Sequence, residues 1–283
     1  SRFHVILPLM RTPSYVIAQD GTRLAYYAIP AKKGKQRPGI VFLGGFMSSM
    51  TGNKATALEA WAKKNGYAFL RYDYYGHGSS GGSIENATIS RWVEDSMTII
   101  NFVCGRTEGL DGPLILVGSS MGAWIMIHVA LAFEENKSRR RVVGLMGIAA
   151  APDFTKDLLP NHLGVKTMKK IFEEGVYKMF SDYSDEPYII SKELIQDGNQ
   201  MCVLKNEINI DLPVRLIHGT CDKDVPWDQS RRLMQALISE DVELILVKGG
   251  NHRLSNKNEL ERIFITLASL VNSLELEDAV FEN

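Results

Sequence analysis

The chain has little cysteine, little net charge and few long apolar runs, and each shortage argues against a class of protein. Only three of its 283 residues are cysteine, at the widely separated positions Cys104, Cys202 and Cys221. An odd number without close spacing argues against a disulfide framework or a structural zinc site, so a reducing compartment is the default expectation. The net charge is −1, with basic and acidic residues interspersed. That balance predicts no nucleic-acid partner and no polybasic membrane patch.

Apolar runs such as Leu114–Val117 and Leu244–Val247 have the length of a β-strand. They are far shorter than a transmembrane segment, so none is predicted. What is present is the composition of an ordinary globular domain, 45% hydrophobic and 23% charged. The first nineteen residues contain Arg2 and Arg11 but no acidic residue. Such a stretch is typical of the end of an organellar presequence, and a trimmed chain explains it equally well.

Short apolar runs alternate with helical patterns along most of the chain. Asp20-Gly21 separates the first two runs and predicts a hairpin, because the turn needs positive φ. The later runs are continuously apolar, which is typical of parallel strands covered by helices on both faces. The predicted strands are Tyr15–Ile17, Leu24–Ile29, Ile40–Leu43, Ala68–Tyr72, Leu114–Val117, Val142–Ile148, Val214–Ile217 and Val242–Val247. The predicted helices are Thr51–Lys64, Ile89–Cys104, Met121–Phe133, Asp228–Ser239 and Asn256–Leu274.

The alternation stops between Asp153 and Asp211. Apolar residues recur there at intervals of three and four, which predicts an amphipathic helix or helix pair, interrupted at Gly175, and no strand. These residues are Val165, Met168, Ile171, Phe172, Val176, Met179 and Phe180. The expected organisation is one α/β core formed by residues 14–152 and 209–274, with a short helical cap inserted at 153–208.

The pentapeptide Gly118–Gly122 lies between a predicted strand and a predicted helix, with Ser120 at its centre. In that context the pattern G-x-S-x-G predicts a sharp turn that projects the serine oxygen above the sheet edge. The Met121 N–H would then lie at a helix N-terminus, where it can stabilise an oxyanion. The alternative is a plain turn with incidental glycines. We interpret Ser120 as a nucleophile.

A serine hydroxyl needs a base to take its proton, and His252 is the candidate. It follows the last predicted strand, at the sheet edge where α/β proteins bind ligands, and it comes after the serine in the chain order expected of this arrangement. Two other histidines receive different interpretations. His218 ends a strand and is expected to be a packing residue, and His77, in a loop after a strand, is expected at the rim of the site.

The base needs an acid to hold its tautomer, and the loop after Val214–Ile217 offers Asp222 and Asp224. We prefer Asp222, since Asp224 directly precedes Val225-Pro226 and resembles a helix-entry residue. The alternative is that either aspartate only caps the following helix. A second oxyanion donor is expected from the loop after the first parallel strand, where the Phe46 N–H is the candidate.

Five motifs occur in a fixed order: Gly44-Gly45-Phe46, Asp73-x-x-Gly76-His77-Gly78-x-Ser80, the serine turn, His218-Gly219-x-x-Asp222-x-x-Val225-Pro226, and Asn251-His252. On these motifs the chain resembles the α/β-hydrolase family over roughly residues 14–274. More narrowly, it resembles the mitochondrial palmitoyl-protein thioesterases of that family, which are also described as acyl-glucuronide esterases. Supporting stretches are Gly175-Val176-Tyr177, Asp182-Tyr183-Ser184, Val225-Pro226-Trp227 and His252-Arg253. One departure is Gly44-Gly45, where many relatives carry His-Gly or Pro-Gly.

The resemblance implies a triad of Ser120, Asp222 and His252, with Phe46 and Met121 as backbone donors. It also implies a mitochondrial location; without it, a cytoplasmic one is expected. The substrate would be an acyl ester or thioester, including an S-acylated protein, and no metal or organic cofactor is expected. The rival functions are a carboxylesterase or lipase acting on oxygen esters, and a serine peptidase. The apolar residues expected either to line an acyl pocket or to seal the cap are Met168, Phe172, Val176, Met179 and Phe180.

Overall fold

Eight strands form one mostly parallel sheet in the computed structural model, which describes residues 11–34, 37–136, 142–181 and 184–281. The first ten residues, which include Arg2 and most of the presequence-like stretch, lie outside the described residues. So do Asp182 and Tyr183 of one motif noted above. The strands in chain order are β1 (Ser14–Ile17), β2 (Arg23–Ile29), β3 (Gly39–Leu43), β4 (Phe69–Tyr72), β5 (Leu114–Ser119), β6 (Val142–Ile148), β7 (Val176–Ser181), β8 (Ser184–Ser191), β9 (Val214–Gly219) and β10 (Val242–Val247).

The main sheet has the strand order β1-β2-β4-β3-β5-β6-β9-β10. Strands β1, β2 and β4 pair antiparallel, and all later pairs are parallel. The predicted hairpin is therefore confirmed, with Gly21 in its turn at φ 85°. The helices are α1 (Asn53–Asn65), α2 (Ile89–Cys104), α3 (Met121–Glu135), α4 (Phe154–Asp157), α5 (Leu159–Glu174), α6 (Lys192–Gln200), α7 (Asp228–Ala236) and α8 (Lys257–Phe281).

Helices cover both faces of the sheet, and the central strand β3 shows why its sequence is continuously apolar. Ile40 and Phe42 contribute to a core with Leu58 of α1 and with α8. Their neighbours Val41 and Leu43 contribute to the core on the other face, with α2 and α3. Side chains alternate between faces along a strand, so a strand buried on both faces has no polar position. The predicted α/β-hydrolase fold class is confirmed.

The segment between β6 and β9 differs from its prediction. The expectation of a cap without strands is wrong, because β7 and β8 form an antiparallel hairpin in which Met179 pairs with Tyr188. Helix α5 ends at Gly175, which adopts φ 92°. A glycine with positive φ is a common end of a helix. The apolar spacing of three and four that continues to Val176, Met179 and Phe180 therefore does not reflect a helix. The two ends of the segment are joined through the Asp153 carboxylate, which accepts hydrogen bonds from two backbone N–H groups after α6.

Among the described residues, no helix combines the length and the apolar character that crossing a bilayer requires.

Candidate active site

Ser120 occupies a strained turn between β5 and α3. Its backbone has φ 57° and ψ −119°, a region that non-glycine residues rarely adopt and that is often strained at functional sites. Neighbouring backbone leaves no space for a side chain at the two glycines that flank this turn, Gly118 and Gly122. A Cβ on Gly122 would lie 2.1 Å from the Leu43 carbonyl oxygen, and one on Gly118 would lie 2.5 Å from the Gly122 carbonyl oxygen. Both glycines are therefore required for the serine to project from the sheet edge.

Three side chains from separate loops form a hydrogen-bonded chain. The Ser120 Oγ lies 3.0 Å from His252 Nε2, and His252 Nδ1 lies 2.7 Å from Asp222 Oδ2. These loops follow β5, β10 and β9, whose carboxyl ends meet at one edge of the sheet. Asp224, the alternative acid, instead donates its backbone N–H to Asp222 Oδ1. The geometry suits proton transfer from the serine to the imidazole, because each step is within hydrogen-bond reach.

The Asp222 carboxylate is fully buried, yet it is held in its charged form. Burial by itself raises the pKa of Asp222, but hydrogen bonds from His218 and His252 outweigh it and hold the pKa well below its usual range. The Val225 N–H also donates to Asp222 Oδ1 at 2.8 Å. His218, expected to be a packing residue, is fully buried, and its Nε2 lies 2.9 Å from the Val225 carbonyl oxygen and 3.2 Å from Asp222 Oδ2. Its Nδ1 lies 2.7 Å from Ser230 Oγ. The sequence did not reveal this contact of His218 with the buried carboxylate.

The loop after β3 places its backbone beside the serine. A Cβ on Gly45 would lie 3.6 Å from the Ser120 Cβ, so the loop passes close to the hydroxyl. Two of its N–H groups are occupied: Met47 donates to His77 and Ser48 donates to the Gly45 carbonyl. Phe46, the predicted donor, directly precedes Met47 in this loop. On the other side, Met121 is the first residue of α3, where a backbone N–H has no acceptor within its own helix.

His77 lies under this loop rather than at the rim of the site, so that expectation is wrong. Its side chain is buried, and Nε2 accepts the Met47 N–H at 2.9 Å while Nδ1 contacts the Tyr75 carbonyl. Burial lowers the pKa of His77 to about 4, so the ring is neutral at neutral pH and keeps its acceptor. The bond holds Met47 at φ 54°. It also fixes the peptide plane between Phe46 and Met47, which adjoins the Phe46 N–H.

We expect His77→Leu to lower kcat by roughly 10- to 100-fold with little change in KM, since a misplaced oxyanion donor weakens binding of the transition state only. His77→Gln offers an amide oxygen to the Met47 N–H and should retain much of the activity. Steady-state kinetics on one short-chain ester measure both constants. A rise in KM at constant kcat would assign His77 to substrate binding instead.

Ser120 lines a cleft of about 620 Å³. This volume suits a small ligand or an acyl chain. Of the five predicted pocket residues, Met179 and Phe180 line the cleft. The other three do not: Met168 packs against the core, Phe172 is 41% exposed, and Val176 is half-buried at the start of β7. Lining that the prediction missed includes Leu158 directly before α5, Leu159 and His162 of α5, and Tyr188 and Ile190 of β8.

The β7–β8 hairpin also contacts the loop after β3, through Phe46 and Met47. The Tyr188 ring stacks on the Phe46 ring with centroids 5.9 Å apart, and the Ile189 N–H lies 3.3 Å from Met47 Sδ. The same structure that supplies apolar lining therefore supports the loop that faces the serine.

Among the described residues, Asp222, Asp224 and His252 offer atoms close enough to share a metal ion. However, both nitrogens of the His252 ring already have partners, Ser120 at Nε2 and Asp222 at Nδ1. A metal on this ring would break one of those two bonds. The arrangement fits proton transfer better than metal binding.

Comparison with known proteins agrees with this geometry. Residues 34–192 match the family model described as "Serine aminopeptidase, S33". The mitochondrial palmitoyl-protein thioesterase ABHD10 of Bos taurus is 37% identical over 262 residues, covering 92% of this chain and 80% of the relative. The structure of ABHD10 from mouse is 35% identical with a TM-score of 0.80 and covers 93% of this chain and all of that one. A putative hydrolase from Agrobacterium vitis is 33% identical with a TM-score of 0.83, covering 92% of this chain and all of that one. The chain therefore belongs to the α/β-hydrolases, in the same family as the ABHD10 proteins.

Proposed function

We propose that this protein is a serine hydrolase that cleaves acyl esters and thioesters through a covalent acyl-enzyme on Ser120. The observation that carries the proposal is the continuous hydrogen-bonded chain from Ser120 Oγ through His252 to the buried Asp222 carboxylate. A serine at a strained turn with a base at 3.0 Å is the arrangement that nucleophilic catalysis requires.

In the first step, His252 Nε2 accepts the proton of Ser120 while Oγ attacks the substrate carbonyl carbon. The carbonyl oxygen becomes an oxyanion that the N–H groups of Phe46 and Met121 stabilise, an effect worth on the order of 3 kcal/mol for each donor. Asp222 holds Nδ1 and stabilises the imidazolium. The bond to the leaving group then breaks, and His252 gives its proton to the departing thiol or alcohol.

In the second step, water takes the place of the leaving group. His252 removes a proton from the water, the resulting hydroxide attacks the acyl carbon, and the same two N–H groups stabilise the second oxyanion. Collapse of this intermediate releases the free acid and returns the proton to Ser120. Each bond broken is matched by one formed, and hydrolysis of an ester or thioester changes no oxidation state.

The acyl half of the substrate fits the apolar part of the cleft, lined by Met179, Phe180, Tyr188 and Ile190. The curated relatives carry the name palmitoyl-protein thioesterase, and this supports long-chain thioesters, including S-acylated protein, as the proposed substrate class. The motif resemblance adds acyl glucuronides. Because the Bos taurus relative is named as mitochondrial, we propose that location for this protein as well.

A carboxylesterase or lipase would use the same three side chains on oxygen esters, and the matched family model carries the name of an aminopeptidase. Kinetics on acyl thioesters from four to sixteen carbons, beside matched oxygen esters and amides, separate these functions. We expect kcat/KM to rise with chain length, by up to about fourfold per methylene that becomes buried, and amides to react far more slowly. A flat response to chain length would contradict the acyl pocket, and efficient amide cleavage would favour the peptidase.

A further inference from the structure

Two cationic side chains, Lys54 and Arg253, line the same cleft as Ser120. Lys54 lies in the first turn of α1, and its Nζ donates a hydrogen bond to the backbone carbonyl of Arg253. Arg253 directly follows His252 in the chain. The contact therefore brings the ammonium group to the part of the cleft next to the proposed base.

The charge of Lys54 is poorly compensated. Its side chain is half-buried, and within the described part of the chain no carboxylate forms an ion pair with Nζ. Burial and the charge of the Arg253 guanidinium lower the pKa of Lys54 to about 8, and the charge of Glu259 opposes this only in part. A partly desolvated ammonium without a carboxylate partner is unfavourable unless an anion binds it.

The surroundings can accept such an anion. An ammonium carries three N–H donors, and the Arg253 carbonyl takes one of those on Lys54. Nearby, Asn53 and Ser255 add polar groups to the cleft lining. The first-turn N–H groups of α1 also face this region without a side-chain cap, since Gly52 precedes the helix, and they add positive potential.

The two cations lie on the side of the cleft where a leaving group departs. His252 must protonate that group, so the group has to lie beside His252. Arg253 directly follows His252 in the chain, Lys54 donates to its carbonyl, and all three residues line the same cleft. The apolar lining of the hairpin, with Met179 and Tyr188, serves the acyl chain instead. The cleft thus combines an apolar acyl side with a cationic leaving-group side.

We propose that Lys54 and Arg253 form a subsite for an oxyanion, a carboxylate or a phosphate, carried by the leaving group of the substrate. This inference rests on the proposed hydrolase function and deepens it, because it selects among esters and thioesters with the same acyl chain. Lys54 and Arg253 are specificity-determining residues for that choice.

The test compares octanoyl thioesters of three similar thiols: 3-mercaptopropionate, its neutral amide, and a phosphate-bearing thiol of similar length. We expect the wild-type kcat/KM to favour the anionic thioesters over the neutral one by about tenfold. Comparing the phosphate-bearing thioester with the carboxylate-bearing one shows which of the two oxyanions the subsite prefers. The ratio of kcat/KM for the anionic and neutral thioesters is taken within one variant, so a general loss of activity caused by a substitution cancels.

Lys54→Met keeps the length and helix propensity of the side chain but removes the charge, and should bring the ratio close to one. Lys54→Arg should retain a preference. Lys63→Met, at an exposed position of the same helix, removes an equal charge away from the cleft and should leave the ratio unchanged. A wild-type ratio near one, or a preference that persists when Lys54→Met is combined with Arg253→Gln, would overturn the subsite. Failure to cleave any of these thioesters would overturn the hydrolase function itself, and the subsite with it.

Discussion

Replacing Ser120 by alanine is expected to lower kcat for acyl esters and thioesters by about 10⁶-fold. The substitution removes the oxygen that forms the acyl-enzyme, and no neighbouring group can replace it at the same position. The half-buried side chain is small and lies at the cleft, so its loss should leave the fold intact. Steady-state assays of the purified variant measure the residual kcat. Substrate binding should persist because the cleft is unchanged.

A suitable control is Ser79→Ala. Ser79 is exposed to solvent in the loop after β4. Its backbone N–H donates to Asp73, and the substitution keeps that group. This variant should retain wild-type kcat. If Ser120→Ala kept a substantial fraction of the activity, the nucleophile would have to be another residue.

Replacing His252 by alanine is expected to lower kcat by roughly 10⁵- to 10⁶-fold, because an unassisted serine hydroxyl is a weak nucleophile. The ring lies between Ser120 Oγ and Asp222 Oδ2, so its removal breaks both bonds at once. It also leaves a space of the size of an imidazole beside the serine.

Added imidazole provides the discriminating measurement for this variant. If His252 acts as a base, free imidazole entering that space should restore part of the activity in a concentration-dependent way. A variant that is merely misfolded would gain nothing. Near-normal activity without imidazole would remove His252 from the mechanism.

The sequence predicted the parts of the fold whose signals are local. Buried parallel strands such as β3 and β5 are continuously apolar, and Asp20-Gly21 marks a hairpin turn, so both were accessible without a structure. The turn at Ser120 was predictable because its glycines are required by close backbone approach at a strand-to-helix junction. The structure brings the three expected side chains together, while their catalytic roles stay predictions.

The β7–β8 hairpin could not be read from spacing alone. The intervals between Met168, Phe172, Val176 and Met179 fit a helix numerically, and only the left-handed backbone of Gly175 shows that α5 ends there. Missing the hairpin also hid Tyr188 and Ile190, which line the cleft. Half-exposed strands carry no continuous apolar run, so their signal in a sequence is weak.

Other features depend on contacts between residues distant in the chain. His77 bonds a backbone N–H thirty positions away, and Lys54 reaches a carbonyl 199 positions away. The sequence pattern around His77 and Lys54 gives no indication of these distant partners. The Gly76-His77-Gly78 motif marked a special loop, but only the fold shows that the imidazole accepts the Met47 N–H of the loop after β3.

The most direct test of this account is labelling with a fluorophosphonate probe, which reacts with activated serine nucleophiles, followed by peptide mass spectrometry. The account predicts a single adduct on the peptide that contains Ser120 in the wild-type protein, and none in Ser120→Ala. Labelling of the alanine variant, or an adduct on a different serine in the wild-type protein, would contradict the assignment of Ser120 as the nucleophile.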